Sequence, residues 1–164
     1  MKTLLLLRHA KSSWKETGMR DFDRPLNERG RRAAPLIGHY LHAQKLAPDL
    51  VLSSPAERAR QTAALVMESA ALAAELRYDE RIYEASVDQL LEVIAQTSDS
   101  AEMLLLVGHN PGMEELIQRL TGASERMRTA TLARIDLDTD EWSKVRAGAG
   151  RLKFIISPKD LQAD

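Results

Sequence analysis

Two histidines and two arginines stand where short apolar runs give way to polar turns, and that placement makes them candidates for chemistry. The run Leu4-Leu5-Leu6-Leu7 breaks into Arg8-His9-Ala10-Lys11-Ser12. Asp49 to Leu52 breaks into Ser53-Ser54-Pro55, with Arg58 three residues on, and Met103 to Val107 into Gly108-His109-Asn110-Pro111-Gly112. A guanidinium presents a planar fork that donates two hydrogen bonds to phosphate oxygens, so Arg8 and Arg58 suit an oxyanion. An imidazole serves either as a nucleophile or as a metal ligand. The metal alternative fares poorly, because the chain has no cysteine and fixed arginine charge repels a divalent cation unless several carboxylates converge. The expectation is an anion pocket holding two imidazoles, with no metal and no cofactor. His39 and His42, three apart on a helical segment, lie away from these turns and are expected at the surface.

The elements that must position these groups alternate in type. The three apolar runs, Thr3 to Leu7, Asp49 to Leu52 and Met103 to Val107, are too short for helices, and their unbroken apolarity suits central strands covered on both faces. Between them Ala33, Leu36, Ile37, Tyr40 and Leu41 share one face of a first helix, in which Pro35 implies a kink or a later start. A second helix is expected from Ser54 as N-cap, Pro55 at the first helical position and Glu57, running to about Ala74. Ser86 and Gln89 give a capping box for a third helix to Gln96, with Val87, Leu90, Leu91 and Ile94 on one face. A fourth starts near Pro111, buries Met113, Leu116, Ile117 and Leu120, and stops at Gly122. Alternation at Ala133, Ile135 and Leu137, then Leu152 to Ile156 after Gly148-Ala149-Gly150, predicts a closing antiparallel pair at or near a sheet edge. The predicted fold is α/β, a three-layer α/β/α sandwich with a mostly parallel central sheet, in one domain over residues 1–164. Ligands in such sheets bind outside the carboxyl ends of the strands, where the two histidines and two arginines converge.

Composition excludes several classes. Lys and Arg number 23 against 24 Asp and Glu, a net charge of −1, so the basic excess of a general nucleic-acid or membrane-surface binder is missing. The absence of cysteine removes disulfides and thiolate catalysis and suits a reducing compartment. Arg8-His9 ends the leucine run well short of a signal core or a membrane span, so a cytoplasmic, soluble protein is expected.

Taken together, these residues resemble the histidine phosphatase superfamily, the phosphoglycerate mutase-like proteins, and within it the small phosphohistidine phosphatase (SixA-type) branch. Arg8-His9-Ala10 stands where that family opens with Arg-His-Gly. Ser53-Ser54-Pro55-Ala56-Glu57-Arg58-Ala59-Arg60-Gln61-Thr62 matches its Ser-Ser-Pro-x-x-Arg-Ala-x-Gln-Thr element, and Gly108 to Gly112 its Gly-His-Asn-Pro-Gly element. Arg24-Pro25-Leu26-Asn27-Glu28-Arg29-Gly30 and Arg81-Ile82-Tyr83-Glu84-Ala85-Ser86 also match, so the resemblance covers almost the whole chain.

The resemblance implies a metal-independent phosphatase in which His9 is phosphorylated during turnover, while Arg8, Arg58 and His109 hold the three non-bridging oxygens. It makes a phosphohistidine-bearing protein the expected substrate. Ser12, Arg24 and Asn110 are added as substrate-binding candidates. Glu84 best matches the carboxylic acid that phosphomonoesterases of the superfamily use on their leaving group, with Glu80 and Asp79 behind it; the other reading makes Glu84 a structural residue of its turn. Two alternatives stand beside the main expectation: a phosphatase for small phosphate esters, with Glu84 as general acid, and a non-catalytic module that binds phosphorylated or acidic partners. Arg20, Arg24, Arg29, Arg31 and Arg32 form a local basic excess that either greets an acidic partner or merely solvates its helix. Trp14 and Phe22 either line the pocket mouth or anchor the loop.

Overall fold

Leu4, Leu5, Leu6 and Leu7 are completely buried because the strand that carries them runs through the middle of a sheet with helices on both faces. The structure, a computed structural model, describes residues 1–14 and 18–162. In chain order the main elements are β1 (Lys2–Arg8), α1 (Glu28–Ala43), β2 (Leu50–Ser53), α2 (Glu57–Ser69), β3 (Glu75–Tyr78), α3 (Val87–Ala95), β4 (Met103–Gly108), α4 (Gly112–Thr121), β5 (Leu132–Leu137), β6 (Gly150–Ile156) and α5 (Pro158–Leu161). The six strands are ordered β3-β2-β4-β1-β5-β6. β1 to β4 are mutually parallel, and β5 and β6 close the sheet through antiparallel pairings.

Side chains alternate across a strand, so the leucine run feeds two cores at once. Leu4 and Leu6, with Leu104 and Leu106 of β4, pack under α3 and α4. Leu5 and Leu7, with Leu105 and Val107, pack under α1 and α2. Each such side chain contributes about 1.5–3 kcal/mol by leaving water, and this sets the register in which Arg8 lies opposite Gly108. The catalytic candidates at the ends of β1 and β4 are therefore placed side by side by the core itself.

The expected three-layer architecture with a mostly parallel sheet is observed, as are the capping box of Ser86 and Gln89 and the left-handed stop at Gly122. Three local expectations are corrected. The second helix ends at Ser69, not Ala74, and is followed by β3, an edge strand not anticipated because its sequence Glu75-Leu76-Arg77-Tyr78 has little apolar signal. The helix begins at Glu57, while the Ser54 hydroxyl accepts from the Ala56 amide at 3.1 Å just ahead of it. In α1 the buried stripe is Gly30, Ala34, Ile37, Gly38 and Leu41, so Ala33 and Leu36 turn toward an open groove; small residues on the inner face let the helix sit close to its neighbours. α1 runs through Pro35 and is capped at its start by Asn27, whose side chain accepts from the Gly30 amide.

Among the described residues, no helix is long and apolar enough to cross a membrane.

Candidate active site

At the carboxyl ends of β1, β2 and β4 the chain forms a pocket of about 270 Å³ whose lining includes Arg8, His9, Ser12, Arg24, Arg58 and His109, together with Lys11, Trp14, Asn110 and Thr129. Backbone bonds hold its floor. The His9 amide donates to the Gly108 carbonyl at 3.0 Å, and the Ala10 amide donates to the Thr62 hydroxyl at 3.0 Å, which donates in turn to the Arg58 carbonyl at 2.7 Å. α1 approaches so closely that a Cβ on Gly30 would stand 2.2 Å from the Lys11 carbonyl oxygen. Ala10, where the family pattern has glycine, is fully buried and is not among the residues with positive φ, so the loop accepts a side chain there.

His9 is 6% exposed. Its Nδ1 lies 2.7 Å from the Ala10 carbonyl oxygen, an acceptor only, so the ring proton belongs on Nδ1 and Nε2 carries the lone pair. The Nε proton of Arg58 points at that nitrogen from 3.4 Å. Burial, and then the charges of Arg58, Arg8 and Arg24, lower the His9 pKa to about 4 against a raising contribution from the Ala10 carbonyl, so the ring is neutral at pH 7.

His109 faces His9 with ring centroids 5.1 Å apart. Burial first, then His9 and Arg58, lower its pKa to about 3. Its Nε2 is 2.8 Å from the Ser54 hydroxyl and its Nδ1 3.5 Å from Arg58 Nη2. A guanidinium only donates, so the single ring proton goes to Ser54, and His109 forms a neutral wall in this arrangement. An anion held in the pocket would offset the lowering contribution of Arg58 and favour the protonated form of His109.

The arginines are held from behind. Arg8 donates to the Met127 carbonyl at 3.1 Å, and its Nε is buried without a partner among the described residues, a donor suited to an anion. Arg24 stacks on Trp14 at 3.5 Å and donates to the Ser12 hydroxyl at 2.8 Å. Arg58, 6% exposed, is gripped by one residue absent from the sequence reading: Asp21 accepts from Nη1 on its main-chain carbonyl at 2.7 Å and from Nη2 on its carboxylate at 3.0 Å. The same carboxylate accepts from Arg24 Nε at 3.0 Å and from the Tyr83 hydroxyl at 2.7 Å. Partial burial opposes its ionisation, but Tyr83, Arg58 and Arg24 together hold its pKa down at about 2. Asp21 lies three residues before Arg24, and that spacing alone signals an ion pair but gives no hint of Arg58.

Ser12 and Arg24 are thus gathered with the two histidines. Asn110 lines the pocket, but its amide donates to Glu114 at 3.0 Å and to the Met127 carbonyl at 2.8 Å, so its donors tie the 126–131 loop to α4. Glu84 is exposed, has φ +53° and does not line the pocket; its neighbour Tyr83 faces His109 at 5.5 Å. Glu80 is likewise exposed, and Asp79 is paired with Arg81 at 2.7 Å. Phe22 packs edge-on against Tyr83 at 5.2 Å, whereas Trp14 is 77% exposed at the pocket mouth. Among the described residues no three His, Asp or Glu side chains converge as metal ligands would.

Comparison with known proteins places this geometry in context. Residues 4–90 match the family model described as histidine phosphatase superfamily, branch 1. An uncharacterised protein of Mycobacterium tuberculosis is 36% identical over 93% of this chain and all of its own length. Among solved structures, the SixA protein of Agrobacterium tumefaciens is 32% identical with a TM-score of 0.83, covering 96% of this chain and 98% of its own. The SixA protein of Nakamurella multipartita is 30% identical with a TM-score of 0.84, covering 96% of each chain.

Proposed function

Since the chain belongs to the histidine phosphatase superfamily, in its small SixA-type branch, we propose that it is a metal-independent phosphatase that works through phospho-His9 and removes phosphate from phosphohistidine on a protein. The observation that carries this reading is the Nδ1 contact of His9 with the Ala10 carbonyl, which leaves Nε2 unprotonated beside Arg8, Arg58 and His109. The two solved SixA proteins, provisionally named phosphohistidine phosphatases, support the substrate class, and the whole span 1–164 is read as one catalytic domain.

In the first step the Nε2 lone pair attacks phosphorus in line, and the bond from phosphorus to the substrate nitrogen breaks with its electron pair on the leaving ring. An imidazole already protonated on its far nitrogen departs neutral, so no side-chain acid is needed at the scissile nitrogen. This agrees with Glu84 lying outside the pocket. Arg8, Arg24 and Arg58 stabilise the charge on the transferring phosphoryl, the task a metal would otherwise perform. In the second step water attacks phospho-His9, the phosphorus–nitrogen bond breaks, and phosphate leaves with Nε2 restored.

The test is phosphate release from a phosphohistidine protein and from a panel of small phosphate esters in EDTA. EDTA-resistant release from the phosphoprotein that falls by about 10⁴-fold in His9→Ala is expected. Preference for one ester, with loss of turnover in Glu84→Gln, would replace this reading by a small-molecule phosphatase. Binding of phosphoprotein without any release would replace it by a recognition module.

A further inference from the structure

Beside the histidine pocket lies a larger groove of about 720 Å³. The two share Lys11 and Thr129, so the groove begins where the pocket ends. Its rim carries Lys11, Arg29, Arg32, Arg128 and Lys159, and among the described residues no carboxylate lines it. Among the described residues Lys11, Arg29, Arg128 and Lys159 form no ion pair, and Arg32 has only an exposed contact with Glu28 at 3.9 Å, which solvent screens. In a chain of net charge −1, five cations gathered on one groove are a segregation of charge.

The groove has a direction as well as a sign. Arg29, Arg32, Ala33 and Leu36 follow one another at helical spacing along the outer face of α1, two turns or about 10 Å of helix, and Pro158 and Lys159 of α5 form the facing wall. The floor is mildly apolar through Ala33, Leu36 and Pro158. Arg31, the remaining cation of that stretch, turns away and donates to the Leu26 carbonyl at 2.8 Å.

We propose that this groove docks an acidic segment of the phosphorylated protein, lying beside its phosphohistidine while the phosphoryl group occupies the pocket above His9. This inference rests on the phosphohistidine reading of the site and adds how a partner is selected. An extended or helical acidic stretch matches the cationic rim, and its aliphatic side chains match the floor. A single-stranded nucleic acid would find no aromatic lining on which to stack. A bilayer would meet a concave surface without a large exposed apolar side chain: among the described residues those are Met1, Trp14 and Tyr78, all outside the groove.

The test compares two phosphohistidine peptides, one flanked by Asp and Glu and one by Ser and Gly, on the full chain and on the triple variants R29E/R32E/K159E and R29Q/R32Q/K159Q. All three positions are exposed and outside the histidine pocket. The expected result is a KM about tenfold lower for the acidic peptide, a preference that fades with salt, vanishes in the glutamine variant and reverses in the glutamate variant. Turnover of free phosphohistidine stays unchanged. Equal KM values for the two peptides, or a preference that survives both variants, would overturn the docking assignment. A separate arm measures fluorescence anisotropy of an acidic peptide without phosphate, with anionic vesicles and single-stranded DNA as competitors. If neither phosphopeptide is hydrolysed, the catalytic reading fails, and this arm still decides the groove. Peptide binding lost in the variants upholds it; no binding, or displacement by vesicles or DNA at equal charge, overturns it.

Discussion

Arg58 and Asp21 meet twice: one guanidinium nitrogen donates to the Asp21 carbonyl at 2.7 Å and the other to its carboxylate at 3.0 Å. Two contacts to one residue fix the plane of the fork as well as its position. The remaining edge, Nε and Nη2, is thereby turned toward His9 and His109. Asp21 does not line the pocket, so it is a positioning residue.

Removing the carboxylate in Asp21→Ala leaves Arg58 buried with one of its two anchors. Activity is expected to fall by about tenfold to a hundredfold, mainly in kcat because the arginine no longer points where charge develops. Asp21→Asn, which keeps an acceptor oxygen, should recover much of the loss. Steady-state kinetics on both variants checks this: an equal loss in the two, or a change confined to melting temperature, counts against a positioning role. With a pKa of about 2, Asp21 stays ionised across the working range and adds no limb of its own to the pH profile.

The two rings set an acid limit on stability. His9 and His109 have pKa values of about 4 and 3 in the folded chain, against about 6.5 when unfolded. Between those values the unfolded state binds more protons, so stability is complete above about pH 6.5 and is lost as pH falls through about 4 for His9 and about 3 for His109. The His9 ring alone accounts for about 3 kcal/mol. Urea denaturation at pH 7 and pH 4.5 should show the drop, and His9→Gln should flatten it. An NMR titration of the ligand-free protein is expected to find both rings neutral at pH 6.

Gly30 carries a prediction against intrinsic propensity. Alanine is favoured over glycine in a helix by about 1 kcal/mol. A Cβ at this position would stand 2.2 Å from the Lys11 carbonyl oxygen, and main chain cannot yield as a side chain does. Gly30→Ala is expected to cost about 1–3 kcal/mol net and to lower activity through the displaced nucleophile loop. Denaturation and kinetics on one preparation test both; a stabilised, fully active variant would show that the loop moves freely.

Ala10 is expected to behave in the opposite way. Its backbone is not left-handed, so Ala10→Gly brings no relief of strain and loosens the unfolded chain, at about 0.4–1 kcal/mol. Activity should change little, because the groups that engage His9 Nδ1 and Thr62 are main-chain atoms.

Strand ends read from apolar runs were enough to locate Arg8, His9 and His109 at one sheet edge, because burial of a leucine run leaves a β-strand little choice of register. Ser86 and Gly122 likewise announced their helix ends through local hydrogen bonding and backbone conformation. β3 is not legible in the sequence, because an exposed edge strand carries no burial pattern. Ile37 and Leu41 mark the inner face of α1 by their apolarity, whereas Gly30, Ala34 and Gly38 on the same face give no such signal, because their value is close approach and not hydrophobicity.

The amino-acid sequence by itself determined the family, the layered fold and the two histidines with their arginines, since these depend on residue type at short spacing. Only the tertiary structure decided which His9 nitrogen is free, that Asp21 and Arg58, separated by 37 positions, act as one unit, and that Lys11, Arg29, Arg32, Arg128 and Lys159 share a groove. Those relations join distant segments through directional hydrogen bonds and shared surface, and linear order carries no record of either until the chain has packed.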